Sequence, residues 1–267
     1  MSEHLTPVVK RRLRPQDPNS FYEDDLEWLE TAAADDPIAD CLDQLLAERL
    51  NGYRVRVFHA CRPRDIESYY LHGLRYLRPE DAVLQLRVLV DRYDELVLLR
   101  DEARLNAALR QIESNHRGGW LYVGLDDRDL LKGAGHYLIY GSEYLYGILA
   151  YCGISCQQAL TREGIPTVFV LDAPVSLFSK SDMLQFARQL LAQWARNIAH
   201  RHCSAPEVDF TFALQCDIPP ACIAGHYHPP RISDPLNYSV PHLNPRRSCP
   251  RPRCSPSPRP PTGLLPG

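Results

Sequence analysis

The stretch YRVRVFHACRPRDIESYYLHGL, Tyr53 to Leu74, decides how the rest of the chain is read. Tyr53, Val55 and Val57 alternate with Arg54, Arg56 and Phe58, which is the two-residue period of a strand, and the run ends at His59, shortly before Pro63. Asp65 then stands where a helix N-cap belongs, and Gly73 closes a short helix over residues 65–72 as its C-cap residue.

Working outward, residues 36–51 read as a helix, with Leu42, Leu45, Leu46 and Leu50 at helical spacing and Gly52 as a stop. From Pro79 to Ser114 the pattern is helical again. Leu84, Leu86, Val88, Leu89, Tyr93, Leu96, Leu98 and Leu99 give it an apolar surface wide enough for two helices, and Gly118-Gly119 break it. Residues 120–125 read as a strand with an acidic turn after it at Asp126, Asp127 and Asp129. Residues 136–140 read as a further strand, introduced by Gly133 and Gly135, and residues 142–151 as a helix capped by Ser142. Val168-Phe169-Val170 mark a buried strand over 166–171. Residues 181–202 form an amphipathic helix with Leu184, Ala187, Leu191, Trp194, Ala195 and Ile198 on one face. The last strand, 207–218, alternates most clearly, Val208, Phe210, Phe212 and Leu214 against Asp209, Thr211, Ala213 and Gln215.

This order predicts one α+β domain over residues 21–228, with a helical insertion at about 79–115 and a flexible leader at 1–20. Beyond His228 the character changes: about half of the 23 prolines fall there, with Arg and Ser and little aliphatic material. Such a segment buries too little surface to offset its ordering entropy, so 229–267 is expected to be a disordered tail, either a linker or docking segment or without function.

Composition narrows the function classes. The 267 residues suffice for a real core, and 45% hydrophobic with 24% charged residues is globular. A net charge of −3 gives no global basic signal for nucleic acid. No run approaches the roughly 20 apolar residues that cross a bilayer. The first residues, with Lys10, Arg11, Arg12 and Arg14, lack the apolar run of a secretory signal. The nine cysteines contain no CxxC pair, so they read as reduced thiols in a cytoplasmic protein, and no metal is expected, His226-Tyr227-His228 lacking a third ligand at definable spacing. Phosphate-loop and GxGxxG motifs are absent.

Three segments are candidates for chemistry. His59, at a strand end beside the small Ala60, lets a ligand meet a ring nitrogen and an open backbone together. Tyr137, Tyr140, Tyr144 and Tyr146 crowd a short stretch, and tyrosines stack on flat ligands while keeping a hydroxyl for hydrogen bonds. Glu207 and Asp209 share the polar face of the last strand, where a carboxylate can stabilise a developing cation. Arg54, Arg56, Arg62 and Arg64 read either as a solvated basic face or as partners for phosphate. A Cys–His hydrolase built on Cys61 with His59 or His136 is a competing expectation.

In their order, these segments resemble the ADP-ribosyltransferase superfamily, in its histidine–tyrosine–glutamate branch that includes diphtheria toxin and the poly-ADP-ribose polymerases. The resemblance spans residues 53–228 and rests on His59-Ala60, Gly73-Leu74, Gly135-His136-Tyr137, a downstream Tyr144 or Tyr146, and the 207–218 strand with its Pro219-Pro220 turn. Ala60-Cys61 depart from the usual Gly-Thr or Gly-Ser. It implies the split-sheet fold of that family with flanking helices, and an enzyme that uses NAD as substrate, without a metal, to modify a protein or nucleic-acid acceptor. A bacterial toxin, effector or defence protein fits that activity. The resemblance further implies His59 on the NAD ribose, Ala60 on the nicotinamide amide, Gly73 near the cofactor, Tyr137 and Tyr144 flanking the nicotinamide ring, and Glu207 or Asp209 as the catalytic carboxylate. A catalytically degenerate interaction protein on the same fold is the alternative.

Overall fold

A computed structural model describes residues 42–114, 119–152, 157–199, 208–235 and 241–244. The chain divides into two compact units, one formed by residues 1–54, 174–210 and 262–267 and the other by 55–173 and 211–261, so the span expected as one domain is shared between them.

In the first unit, helix α1 (Leu42–Leu50) packs on the long helix α9 (Lys180–Ala199). Met183, Phe186, Ala187, Leu190 and Leu191 of α9 are buried at helical spacing, and the Phe186 ring meets Phe210 at 5.5 Å.

The second unit is mixed α+β. Its five-stranded sheet runs β4-β2-β1-β3-β5, with β1 Arg54–Cys61, β2 Leu121–Gly124, β3 Thr167–Pro174, β4 Thr211–Leu214 and β5 Ile223–Tyr227. The pairs β1–β2, β2–β4 and β3–β5 are antiparallel. The strand expected from Tyr53 is thus β1, at the middle of the sheet. β4 keeps the predicted alternation, Phe212 and Leu214 being buried, but the expected 207–218 strand is interrupted: four residues pair with β2, and Ile218 forms an isolated bridge to Leu74. Helix α2 (Ile66–His72) is capped by Asp65, whose carboxylate accepts from the Glu67 amide at 2.9 Å.

The residues expected as a helical insertion form α3 (Pro79–Arg92), a 3₁₀ turn (Asp94–Arg100) and α4 (Glu102–Ser114). They are part of the core: Leu86, Leu89, Leu96 and Ile112 are almost fully buried in one cluster with Phe58, Ile148 and Leu149. Helix α5 (Asp127–Leu131) begins in the acidic turn after β2.

Two expectations need correction. Residues 136–140, read as a strand, form a short helix, α6 (His136–Tyr140), followed by α7 (Glu143–Tyr151) and α8 (Gln157–Arg162). Leu138, Ile139 and Tyr140 are all buried, and a run of consecutive apolar residues carries no period that separates a strand from a buried helical turn. The stretch expected as a disordered tail from residue 229 contains a ribbon of β6 (Arg231–Ile232) and β7 (His242–Leu243). Ile232 is fully buried in the core, and the Ser233 amide donates to the Leu131 carbonyl at 2.8 Å, so a few apolar and backbone contacts suffice to order this part. Residues 1–20 and 245–267 lie outside the described residues.

Candidate functional site

The end of β1 opens into a cavity of about 430 Å³ inside the second unit. Its lining includes His59 and Ala60 from β1, Tyr137 from α6, Glu143 and Tyr144 from α7, and Arg75 from the loop after α2.

His59 is half-buried, with Nδ1 2.9 Å from the carbonyl oxygen of Tyr122 on β2. A carbonyl only accepts, so Nδ1–H donates and the neutral ring keeps its lone pair on Nε2. Burial lowers the imidazole pKa, and the Tyr122 hydrogen bond opposes this only in part, so the ring is neutral at pH 7.

Tyr137 and Glu143 meet because Gly141, at φ 87°, turns the chain between α6 and α7 in a conformation that side-chain-bearing residues rarely adopt. The Tyr137 hydroxyl donates to Glu143 Oε2 at 2.8 Å. The Ser142 hydroxyl caps α7 by accepting from the Leu145 amide at 3.3 Å, which makes Glu143 the first residue of that helix. Tyr144 is buried and its ring forms part of the wall. His136, 4.2 Å from the Tyr137 ring, is pushed down in pKa by burial, against the charges of Glu143, Asp234 and Asp129.

Arg62 holds these walls together. Its guanidinium donates to the carbonyls of Glu163 (2.8 Å), Leu138 (3.0 Å), Thr161 (2.5 Å) and Gly164 (3.2 Å). Burial lowers its pKa to about 10, against the charge of Glu163. Arg56 forms a two-pronged pair with Asp172 at 2.8 and 2.9 Å, and Arg64 lies 2.5 Å from Glu163. The arginine run expected as a phosphate site or a solvated face is therefore engaged in internal contacts at Arg56, Arg62 and Arg64. Arg75, which the sequence reading did not single out, lines the cavity without an ion-pair partner among the described residues.

The remaining expected site residues lie elsewhere. Gly73 faces a different groove and approaches the Ile218 backbone so closely that an added Cβ would stand 2.1 Å from its carbonyl oxygen; at φ 80° it serves the Leu74–Ile218 bridge. Asp209 is exposed, belongs to the first unit and is not among the cavity-lining residues. Glu207 lies outside the described residues.

Cys61 also lines the cavity, but burial pushes its thiol up to about 12, with a hydrogen bond to Tyr69 working against that. A thiol so far from ionisation is a poor nucleophile, which weighs against the Cys–His hydrolase. Among the described residues no group of three His, Cys, Asp or Glu side chains is arranged to hold a metal ion. No helix among them is long and apolar enough to cross a membrane.

Glu143 was missed because an acidic residue in the first turn of a capped helix is ordinary, and nothing in its spacing marks it. The chain was compared with protein-family models, with curated proteins and with solved structures, and none matches.

Proposed function

We propose that the chain is an NAD-dependent ADP-ribosyltransferase that modifies a protein or nucleic-acid acceptor, with the family's split sheet as its core and a toxin, effector or defence role in the cytoplasm. The observation that carries the reading is that His59, Ala60, Tyr137 and Tyr144 line one cavity of about 430 Å³, within the roughly 300–1,000 Å³ of small-molecule sites. In this reading the His59 Nε2 lone pair accepts from a ribose hydroxyl, the Ala60 backbone holds the nicotinamide amide, and Tyr137 and Tyr144 flank the ring. Arg75 faces the phosphates.

The test is nicotinamide release from NAD by wild type and His59→Ala. Wild type is expected to release it above the spontaneous rate and the variant to fall towards background. A folded wild type at background ends the reading.

One observation favours the degenerate interaction protein instead: Ala60-Cys61 stand where the family usually has Gly-Thr or Gly-Ser. That reading expects NAD cleavage to be absent and partner binding to be unaffected by His59→Ala.

A further inference from the structure

We infer that Glu143, on the first turn of α7, is the carboxylate that faces the ribose during transfer, in place of Glu207 or Asp209; the inference rests on the transferase reading above. Among the described residues three carboxylates line the cavity, those of Asp129, Glu143 and Glu163. Glu163 is taken up by Arg64 (2.5 Å), Arg92 (2.6 Å) and the Tyr93 hydroxyl (2.7 Å). Burial pushes its pKa up, but the bonds from Tyr93 and Arg92 and the charges of Arg64 and Arg92 outweigh this and hold it below the usual carboxylate range. A carboxylate so compensated offers little to a second cation. Asp129 folds over its own turn, its Oδ1 standing 2.4 Å from where a Cβ at Gly133 would lie.

Glu143 is half-buried, shares the cavity wall with His59, and is oriented by the Tyr137 hydroxyl at 2.8 Å. The Ser142 cap fixes the turn that carries it. Tyr137 therefore has two tasks, flanking the ligand ring and positioning the carboxylate.

In the step that Glu143 serves, the bond between the ribose C1′ and the nicotinamide nitrogen breaks, and its electron pair leaves with nicotinamide. The ribose ring carries the positive charge until a lone pair of the acceptor closes on C1′ and the acceptor yields its proton to solvent. A carboxylate beside the ring stabilises that charge more than the ground state, which is the condition for raising kcat.

The experiment measures NAD binding by titration calorimetry alongside nicotinamide release, for the full chain as wild type and as Glu143→Gln, Glu143→Asp, Tyr137→Phe, Asp209→Asn and Glu207→Gln. Glu143→Gln is expected to bind NAD much as wild type does and to lose about 10²–10³-fold in release rate. Glu143→Asp, which withdraws the charge by one methylene, falls between the two and serves if the glutamine variant does not fold. Tyr137→Phe loses less, and in kcat more than KM. Asp209→Asn and Glu207→Gln keep the wild-type rate. Wild-type release from folded Glu143→Gln or Glu143→Asp, or release abolished by Asp209→Asn or Glu207→Gln, overturns the assignment. A wild type that binds NAD but releases nothing overturns it too, while leaving the binding site. A wild type that neither binds nor releases is a distinct outcome, in which the transferase reading itself fails.

Discussion

Arg62 gives four hydrogen bonds to carbonyl oxygens on two separate segments, Leu138 in α6, and Thr161 at the end of α8 with Glu163 and Gly164 just beyond it. A planar guanidinium does this because its donors radiate in a fixed fork; an ammonium concentrates its three donors at one point. Truncation removes every donor at once and leaves half-buried carbonyls to find water. Arg62→Ala is expected to lower the unfolding free energy by about 3 kcal/mol, and Arg62→Lys to recover little of it. Urea unfolding checks this: an unchanged midpoint for Arg62→Ala would mean that water satisfies the carbonyls fully. None of this was legible from the sequence, where Arg54 and Arg56, and Arg62 and Arg64, are two pairs of cations two residues apart. Partners more than 70 residues away decide their roles, 76 for Leu138 and 116 for Asp172. His59-Ala60 was legible as a strand end because that conclusion needs only neighbours in sequence.

At the scale of elements, the join between α6 and α7 carries the site. Sequence reading found the helix start at Ser142, since a capping side chain works locally, and missed α6, since tertiary burial selects a helical turn from an apolar run that suits either state. The same join accounts for the missed Glu143: the search for a carboxylate followed the alternation of the 207–218 strand, whereas Tyr137 and Glu143 are brought together by a turn at Gly141. If that join orients the carboxylate, weakening the cap must affect both order and rate. Ser142→Ala is expected to destabilise the chain by about 1 kcal/mol. Amide exchange should quicken at Leu145, and nicotinamide release should fall in kcat while NAD affinity changes less. Hydrogen-exchange mass spectrometry on the peptide spanning α7 reads the first effect. Unchanged exchange there would show that the cap adds nothing to the packing of Tyr144 and Ile148.

For the whole molecule, the α+β class followed from the order of periodic segments, which survives errors of a few residues at each boundary. What the sequence concealed is how much polar chemistry sits inside the second unit. His226 on β5 is fully buried, 2.7 Å from the Tyr70 hydroxyl through Nδ1, and its ring lies 5.2 Å from that of His228. Burial, followed by the neighbouring His228, lowers its pKa to about 4, and burial lowers His228 as well, against a hydrogen bond to the Pro166 carbonyl. An unfolded histidine titrates near 6.5. Between about 6.5 and 4 the unfolded chain thus binds more protons at this position than the folded one, so stability falls as pH falls. The contribution is fully present above 6.5 and fully lost below about 4. The limiting slope is about 1.4 kcal/mol per pH unit for one such group, and solvent screening keeps the total below the roughly 3 kcal/mol of the full window. Asp127, whose pKa is raised by burial against a hydrogen bond from Tyr227, opposes the trend once carboxylates titrate. Thermal melts from pH 7.5 to 4.5 should show wild type losing melting temperature below about pH 6.5. His226→Gln, which keeps a hydrogen-bonding side chain opposite Tyr70, should start lower at pH 7.5 and fall less steeply. Parallel pH profiles for the two proteins would mean that His226 is protonated in the fold and that some other group sets the acid sensitivity.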